Sequence, residues 1–260
     1  MKKTKVEKWI VLPDMHVPEE DKETMRAVES YMGYKDFKKI DGYINLGDFM
    51  SLDCISEHNI KKLRKIETKR VQKDYDEGNK VLDRHQALLG NIKYYLLEGN
   101  HEYRMERYID ANPALEGSIE VPLKLRLEER NIKWIKSWSK GELLKRGNAT
   151  FAHGRYITKY HANKMVEYYG TPIFYGHTHD IMEMPKVLHG ADKTIVGHSL
   201  GCLCLYDQEY LRGGPTNWQH SFTIFYFFPN GFFNYYPVKI FNHKFVSPEG
   251  RVFDGNKKRP

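Results

Sequence analysis

The chain has 260 residues, 40% apolar and 29% charged, which is enough for one domain with a full hydrophobic core and excludes a disordered or fibrous polypeptide. Its net charge of +7 and pI near 9.0 favour anionic partners, because phosphate-rich molecules gain Coulomb attraction and release counterions on binding. Three cysteines make no disulfide framework, the apolar run after the basic amino terminus is too short for a signal peptide, and no window approaches the roughly 18 apolar residues of a membrane span; the expectation is a cytoplasmic protein with reduced thiols.

In chain order, short apolar runs alternate with longer polar stretches. Trp9–Leu12 reads as a strand that runs into Pro13, Asp14, Met15 and His16, and Glu20–Tyr31 reads as a helix. Tyr43–Leu46 is a second strand, ending at Gly47 and Asp48. Ile60–Leu89 then predicts one long helix or two shorter ones, with residues 61–90 a basic helical insertion: Lys61 to Lys73 holds seven Lys or Arg and one acidic residue, Glu67. A solvated helix face explains that stretch; an arm guiding a polyanion is the sharper alternative. Tyr94–Leu97 ends at Glu98, Gly99, Asn100 and His101, and Pro113–Arg130 is taken as helical. Ala149–Ala152 ends at His153 and Gly154, Tyr156–Tyr169 is a helix, and Ile173–Tyr175 ends at Gly176, His177, Thr178 and His179.

Beyond His179 the character becomes mostly β: Thr194–Val196, Phe222–Phe228 and Phe232–Ile240 are strand-like, with Asn230-Gly231 as a hairpin turn. These strands are expected to form a β layer, so that residues 1–246 make a single domain and 247–260 a polar, basic tail with a loose end. Strand, helix, strand, helix is the pattern of an α/β domain.

In such a sheet the loops at the carboxyl ends of strands gather on one edge, where ligands sit. Five runs here end in Asp14 and His16, Asp48, Asn100 and His101, His153, and His177 and His179. One Asp-x-His pair alone is incidental; His177 and His179 are more telling, since on extended backbone both point one way. The order of all five is what carries the reading. Imidazole and carboxylate donors without a cysteine suit manganese, iron, zinc or nickel. Seven potential ligands exceed one tetrahedral ion and suit two divalent ions sharing a carboxylate, as in phosphatases and nucleases, where a water or hydroxide between the ions attacks phosphorus in line.

The motifs Asp14-x-His16, Gly47-Asp48, Gly99-Asn100-His101-Glu102, His153-Gly154 and Gly176-His177-x-His179 resemble, in this order, those of the calcineurin-like metallophosphoesterase superfamily. The resemblance implies a four-layer α/β/β/α sandwich of two mixed sheets flanked by helices. It implies Asp14, His16, Asp48 and His179 at a first metal, and Asp48, Asn100, His153 and His177 at a second, with Asp48 as bridge. It also implies His101 as the catalytic histidine that protonates the leaving oxygen. Manganese is the first expectation for both ions, with iron, zinc, nickel or magnesium as alternatives.

Gly47-Asp48 is followed by Phe49-Met50-Ser51-Leu52-Asp53, so the phosphate-gripping arginine of the protein-phosphatase branch is absent there, and Glu102 stands where nuclease members more often carry Asp. Arg104 is a candidate phosphate contact, or a salt bridge on a helix face. Trp218, with Tyr206, Tyr210, Arg212 and the Gly213-Gly214-Pro215 turn, is a candidate base-stacking group in a loop that packs or bounds the cleft. His198 and His220 are further candidates for the cleft. The expected function is a phosphodiesterase or nuclease acting on nucleic acid or nucleotides; the alternative is a phosphomonoesterase. The expected partner is a phosphate ester, with no membrane partner, and the sequence sets no oligomeric state.

Overall fold

The computed structural model describes residues 5–57, 64, 67–191, 193–207, 211 and 213–257. Lys61, Lys62 and Lys65 of the basic stretch lie outside the described residues, as do His58 and, in the expected aromatic loop, Tyr210 and Arg212.

The first strand, β1 (Glu7–Leu12), pairs in parallel with β2 (Gly42–Asn45), which is followed by β3 (Lys93–Leu97) and β4 (Ile132–Ile135) in the same direction. On the other side β1 pairs antiparallel with β10 (Ser221–Phe227), and β11 (Phe233–Lys239) closes the six-stranded order β11-β10-β1-β2-β3-β4. The second sheet has the order β5-β6-β7-β9-β8, from β5 (Leu144–Arg146), β6 (Ala149–Ala152), β7 (Ile173–Tyr175), β8 (Ile181–Leu188) and β9 (Lys193–Leu200), with β6, β7 and β9 parallel. The longer helices among the described residues are α1 (Lys22–Met32), α2 (Val71–Leu89), α3 (Asn100–Ala111) and α4 (His161–Tyr169).

Strand alternation sorts the apolar side chains into three interfaces. Ile10 and Leu12 of β1 face α1 and α2, joining Val28, Tyr31, Val81 and Phe222. Trp9 and Val11 of the same strand face the other way, into a core shared with Phe151, Phe174 and Phe225 between the two sheets. Beyond the second sheet, Ile173 and Tyr175 pack on Met165 and Val166 of α4. The result is the α/β/β/α sandwich.

Several elements depart from the sequence reading. Pro113–Arg130 is no helix: Pro113–Leu115 is a 3-10 turn and Val121–Lys124 a single helical turn. Prolines at 113 and 122 fit first turns but not interiors, and Arg126 at φ 53° ends any continuation. Asn100–Ala111, for which the sequence reading names no helix beyond the helix-face alternative at Arg104, is helical. The carboxy-terminal strands form no layer of their own: β10 and β11 extend the first sheet, β8 and β9 the second, because β10 finds its partner in β1. Within the expected tail, β13 (Val252–Asp254) pairs with β12 (Lys244–Val246) and buries Phe253 beside Tyr31. Among the described residues no helix is long and apolar enough to cross a membrane.

Candidate metal centre

The carboxyl ends of β1, β2 and β3 and those of β6 and β7 converge on one edge of the sandwich. Backbone geometry there is unusual. Asp14 (φ 31°), His16 (52°), Asp48 (46°), His177 (70°) and His179 (61°) all occupy left-handed conformations that cost a non-glycine residue free energy. Extended backbone at the His177/His179 pair is therefore a wrong expectation. The two rings diverge into different halves of the site, because each loop must turn sharply away from its strand.

The side chains meet in two groups. Ligand atoms of Asp14, His16, Asp48 and His179 lie within 4.8 Å of one another, as do those of Asp48, His153 and His177, so Asp48 is common to both. His16 Nε2 is 3.1 Å from His179 Nε2, which is 3.3 Å from Asp14 Oδ1. His153 Nε2 is 3.1 Å from Asn100 Oδ1 and 3.4 Å from Asp48 Oδ2. All seven expected ligands are thus brought together, and Asp14, Asp48 and His153 are buried completely or nearly so.

Hydrogen bonds behind the centre fix its chemistry. His153 Nδ1 is 2.9 Å from the Leu46 carbonyl, which only accepts, so Nδ1 carries a proton and Nε2 is left pointing at Asn100 Oδ1 and Asp48 Oδ2, a place that either a second proton or a metal ion can take. A buried nitrogen facing two acceptor oxygens is unfavourable unless a proton or a metal ion stands between them. The same field shows in the proton affinities. Burial lowers the affinity of His153, but the Asp48 carboxylate outweighs it and pushes the pKa up to about 9. Burial would raise Asp48, yet His153 and His101 hold it well below the usual carboxylate range. Burial, reinforced by neighbouring imidazoles, pushes His177 down to about 3 and His16 well below its ordinary value. Donors of this kind, imidazole, carboxylate and one neutral amide oxygen, fit divalent transition ions.

Backbone donors hold the carboxylates. The His177 N–H donates to both oxygens of Asp14 (2.9 and 3.0 Å), and the His101 N–H donates to Asp48 Oδ1 (2.8 Å). Glycines allow this approach: a Cβ on Gly176 would lie 2.0 Å from Asp14 Oδ2, and one on Gly99 2.1 Å from Asp48 Oδ1. Glu102 is a brace that sequence reasoning missed. Its buried carboxylate accepts from the N–H groups of Asp48 (2.9 Å), Met50 (2.7 Å) and Gly99 (2.8 Å), tying the loop after β2 to the start of α3. The signal was present as a helix-start pattern, Glu three residues after Gly99.

At the rim, His101 Nδ1 donates to the Ser51 carbonyl (2.8 Å), leaving Nε2 toward the centre and 3.0 Å from Arg104 Nη2. Burial pushes this imidazole down to about 4, away from the near-neutral value expected of a proton donor. Arg104 also donates to Asp53 Oδ1 (2.8 Å), and Lys69 Nζ of the basic stretch donates to Asp53 Oδ2 (3.2 Å) at the rim. Trp218 lies with its ring 4.2 Å from that of His179. Tyr206 stacks on His220 at 4.1 Å and accepts from its N–H, so it packs the loop. His220 in turn donates to the Cys204 carbonyl, one layer behind the centre, whereas His198 sits between the sheets beside Phe174 and Tyr235.

Two neighbours of the centre were not expected. Cys204 Sγ is 3.9 Å from His179 Nδ1, the ring nitrogen turned away from Asp14, although the sequence reading gave cysteine no part. Trp138 packs its ring against those of His153 (5.7 Å) and His177 (5.0 Å). Neither adjoins a motif, and only the fold brings them in.

Fold and site together define an α/β/β/α protein with a buried Asp/His cluster able to hold metal ions. No family model matches the chain, and no curated protein matches it. Among solved structures it is similar to Vacuolar Protein Sorting 29 from Cryptosporidium parvum, at 10% identity and a TM-score of 0.41 over 90% of this chain and 98% of that one. It is similar also to Vps29 from Chaetomium thermophilum, at 12% identity and a TM-score of 0.40 over 90% and 93%.

Proposed function

We propose that the chain is a metal-dependent phosphoesterase of the calcineurin-like kind that cleaves phosphodiesters in nucleic acid or nucleotides. The observation that carries the reading is the sharing of Asp48 by two buried groups of ligand atoms whose lone pairs converge. Asp14, His16, Asp48 and His179 would hold one divalent ion, and Asp48, Asn100, His153 and His177 a second, with manganese the first candidate. When bound, such ions supply Lewis acidity, neutralising charge on the phosphoryl oxygens and lowering the pKa of the attacking water.

The chain's own residues do the rest. Asn100 adds a ligand oxygen without adding negative charge where a phosphate must sit. Arg104 presents a permanent cation at Nη2 to the phosphoryl oxygens, filling the part of the arginine absent after Asp48. His101, anchored through Nδ1 on Ser51, turns Nε2 toward the leaving oxygen and would take up the proton it delivers there once Arg104 Nη2 exchanges that nitrogen for a phosphoryl oxygen, whose negative charge raises the ring's proton affinity from its buried low value. Trp138 packs on the rings of His153 and His177 and holds them in place. A diester carries two substituents, and the site has room for both: a cavity of about 270 Å³ adjoins Asn100 and another of about 500 Å³ adjoins His177.

Metal-stripped protein reloaded with manganese tests the reading, on chromogenic mono- and diesters with single- and double-stranded DNA and RNA alongside. Diester or nucleic-acid cleavage that Asp48→Asn abolishes is the expected result. Monoester turnover alone would make the chain a phosphomonoesterase, and no turnover with any metal would make it a silent binding scaffold.

A further inference from the structure

The helix that begins at the metal centre carries a second pattern. Asn100, Tyr103, Arg104, Arg107, Tyr108 and Ala111 fall three and four residues apart, so they share one face of α3. All six line the 270 Å³ cavity, while His101, Glu102 and Met105 on the other side are buried. The stripe runs from a candidate ligand to the helix end, roughly 16 Å at 1.5 Å per residue. Trp138 and Glu57 contribute to the opposite wall. The groove thus offers two arginines one helical turn apart and three aromatic side chains, leading away from the scissile position.

Arg104 is committed at its Nη1 edge to Asp53 and the Ser51 carbonyl, which aims the other edge at His101 and the centre. Arg107 pairs with Glu57, and both side chains are more than half exposed. An exposed ion pair contributes little, so Arg107 exchanges this partner readily for a phosphate. Aromatic surface interleaved with arginine is the chemistry of single-stranded nucleic acid recognition, in which rings take bases and cations track the backbone. A groove of about 270 Å³ is of the size of one nucleotide unit.

We propose that the α3 groove holds the nucleotide unit adjoining the scissile phosphate of a single-stranded nucleic acid. Its base lies against Tyr103 and Trp138, and its next phosphate meets Arg107. The inference rests on the phosphoesterase reading for the position of the scissile phosphate, but its test does not depend on turnover.

The probe is a fluorescently labelled tetranucleotide, titrated by anisotropy against metal-stripped full-length chain at a series of salt concentrations. Arg107→Ala should weaken binding about tenfold and reduce the slope of log affinity against log salt by about 0.7, the value for one lost phosphate contact on a single strand. Tyr103→Ala should weaken it about tenfold with the salt slope unchanged. Lys239→Ala, on the opposite edge strand β11, should leave affinity and slope alone, and circular dichroism checks that each variant is folded. Wild-type affinity and slope in both groove variants would overturn the proposal, as would tighter binding of a duplex of the same length. Manganese-dependent turnover of bis(p-nitrophenyl) phosphate, measured in parallel, separates the two ideas. Turnover with unaltered variant binding removes the groove and keeps the phosphoesterase, whereas groove-dependent binding without turnover does the reverse.

Discussion

Two buried clusters in this protein use the same residue types to opposite ends. Beside α4, the Tyr175 hydroxyl is 2.6 Å from His161 Nδ1, His161 Nε2 is 3.1 Å from Asp180 Oδ2, and Ser199 Oγ is 3.1 Å from Asp180 Oδ1. Every donor there has an acceptor, with Tyr175 donating to the ring and the ring to the carboxylate, so the chain of hydrogen bonds closes on itself. At the centre, His153 Nε2 faces Asn100 Oδ1 and Asp48 Oδ2, and two imidazole nitrogens stand 3.1 Å apart. Burial and composition do not separate these clusters; donor and acceptor accounting does. A histidine cluster satisfied by hydroxyl and carboxylate partners is architecture, while one whose nitrogens and oxygens converge on a common point, and which needs extra protons to be satisfied, offers that point to a cation.

The largest expected effect breaks the second cluster alone. Asp48→Asn should lower manganese affinity more than about 100-fold, since it strips the shared carboxylate from both groups. Elemental analysis after dialysis and loss of the manganese-induced rise in melting temperature read this out. His101→Asn should cut turnover by about 10²–10⁴-fold while both ions stay bound, because the ring contributes to proton transfer and not to the ligand groups; unchanged turnover would take His101 out of the mechanism. Gly176→Ala drives a methyl group toward Asp14 Oδ2 and should cost about 10–100-fold in metal affinity, measured by competition with a fluorescent chelator.

The closed cluster should respond differently. Tyr175→Phe leaves His161 Nδ1 without its donor and should lower unfolding free energy in urea by about 1–3 kcal/mol, with metal content unchanged. A loss of metal there would erase the distinction between the clusters. The last effect concerns a carboxylate that belongs to neither cluster. Burial pushes Asp74 up to about 7 from 3.8, so the folded chain holds its proton more tightly than the unfolded chain. Its contribution is complete below about pH 4 and lost as pH rises through 7. Asp74→Asn should flatten that decline and leave the variant more stable than the parent at pH 8, as urea midpoints across pH 4–8 would show.

The sequence by itself determined the strand ends and the donor types at them. Short apolar runs closed by Asp14, Asp48, Asn100, His153 and His177 are legible because both strand burial and ligand chemistry are encoded within a few consecutive residues. It determined too that a helix follows β1, read as Glu20–Tyr31 where α1 runs Lys22–Met32, and the cap at Asp21, whose side chain accepts from the Thr24 N–H, sets that start. Only the tertiary structure decided the rest. Whether Arg104 meets a helix neighbour or His101 and Asp53, whether Glu102 is surface charge or the brace for three backbone N–H groups, and whether Cys204 and Trp138 reach the centre all depend on contacts between residues distant along the chain. Local pattern names the donors, but which lone pairs are left facing one another is a property of the packed whole, because desolvation and hydrogen-bond partners exist only once the sheets have met.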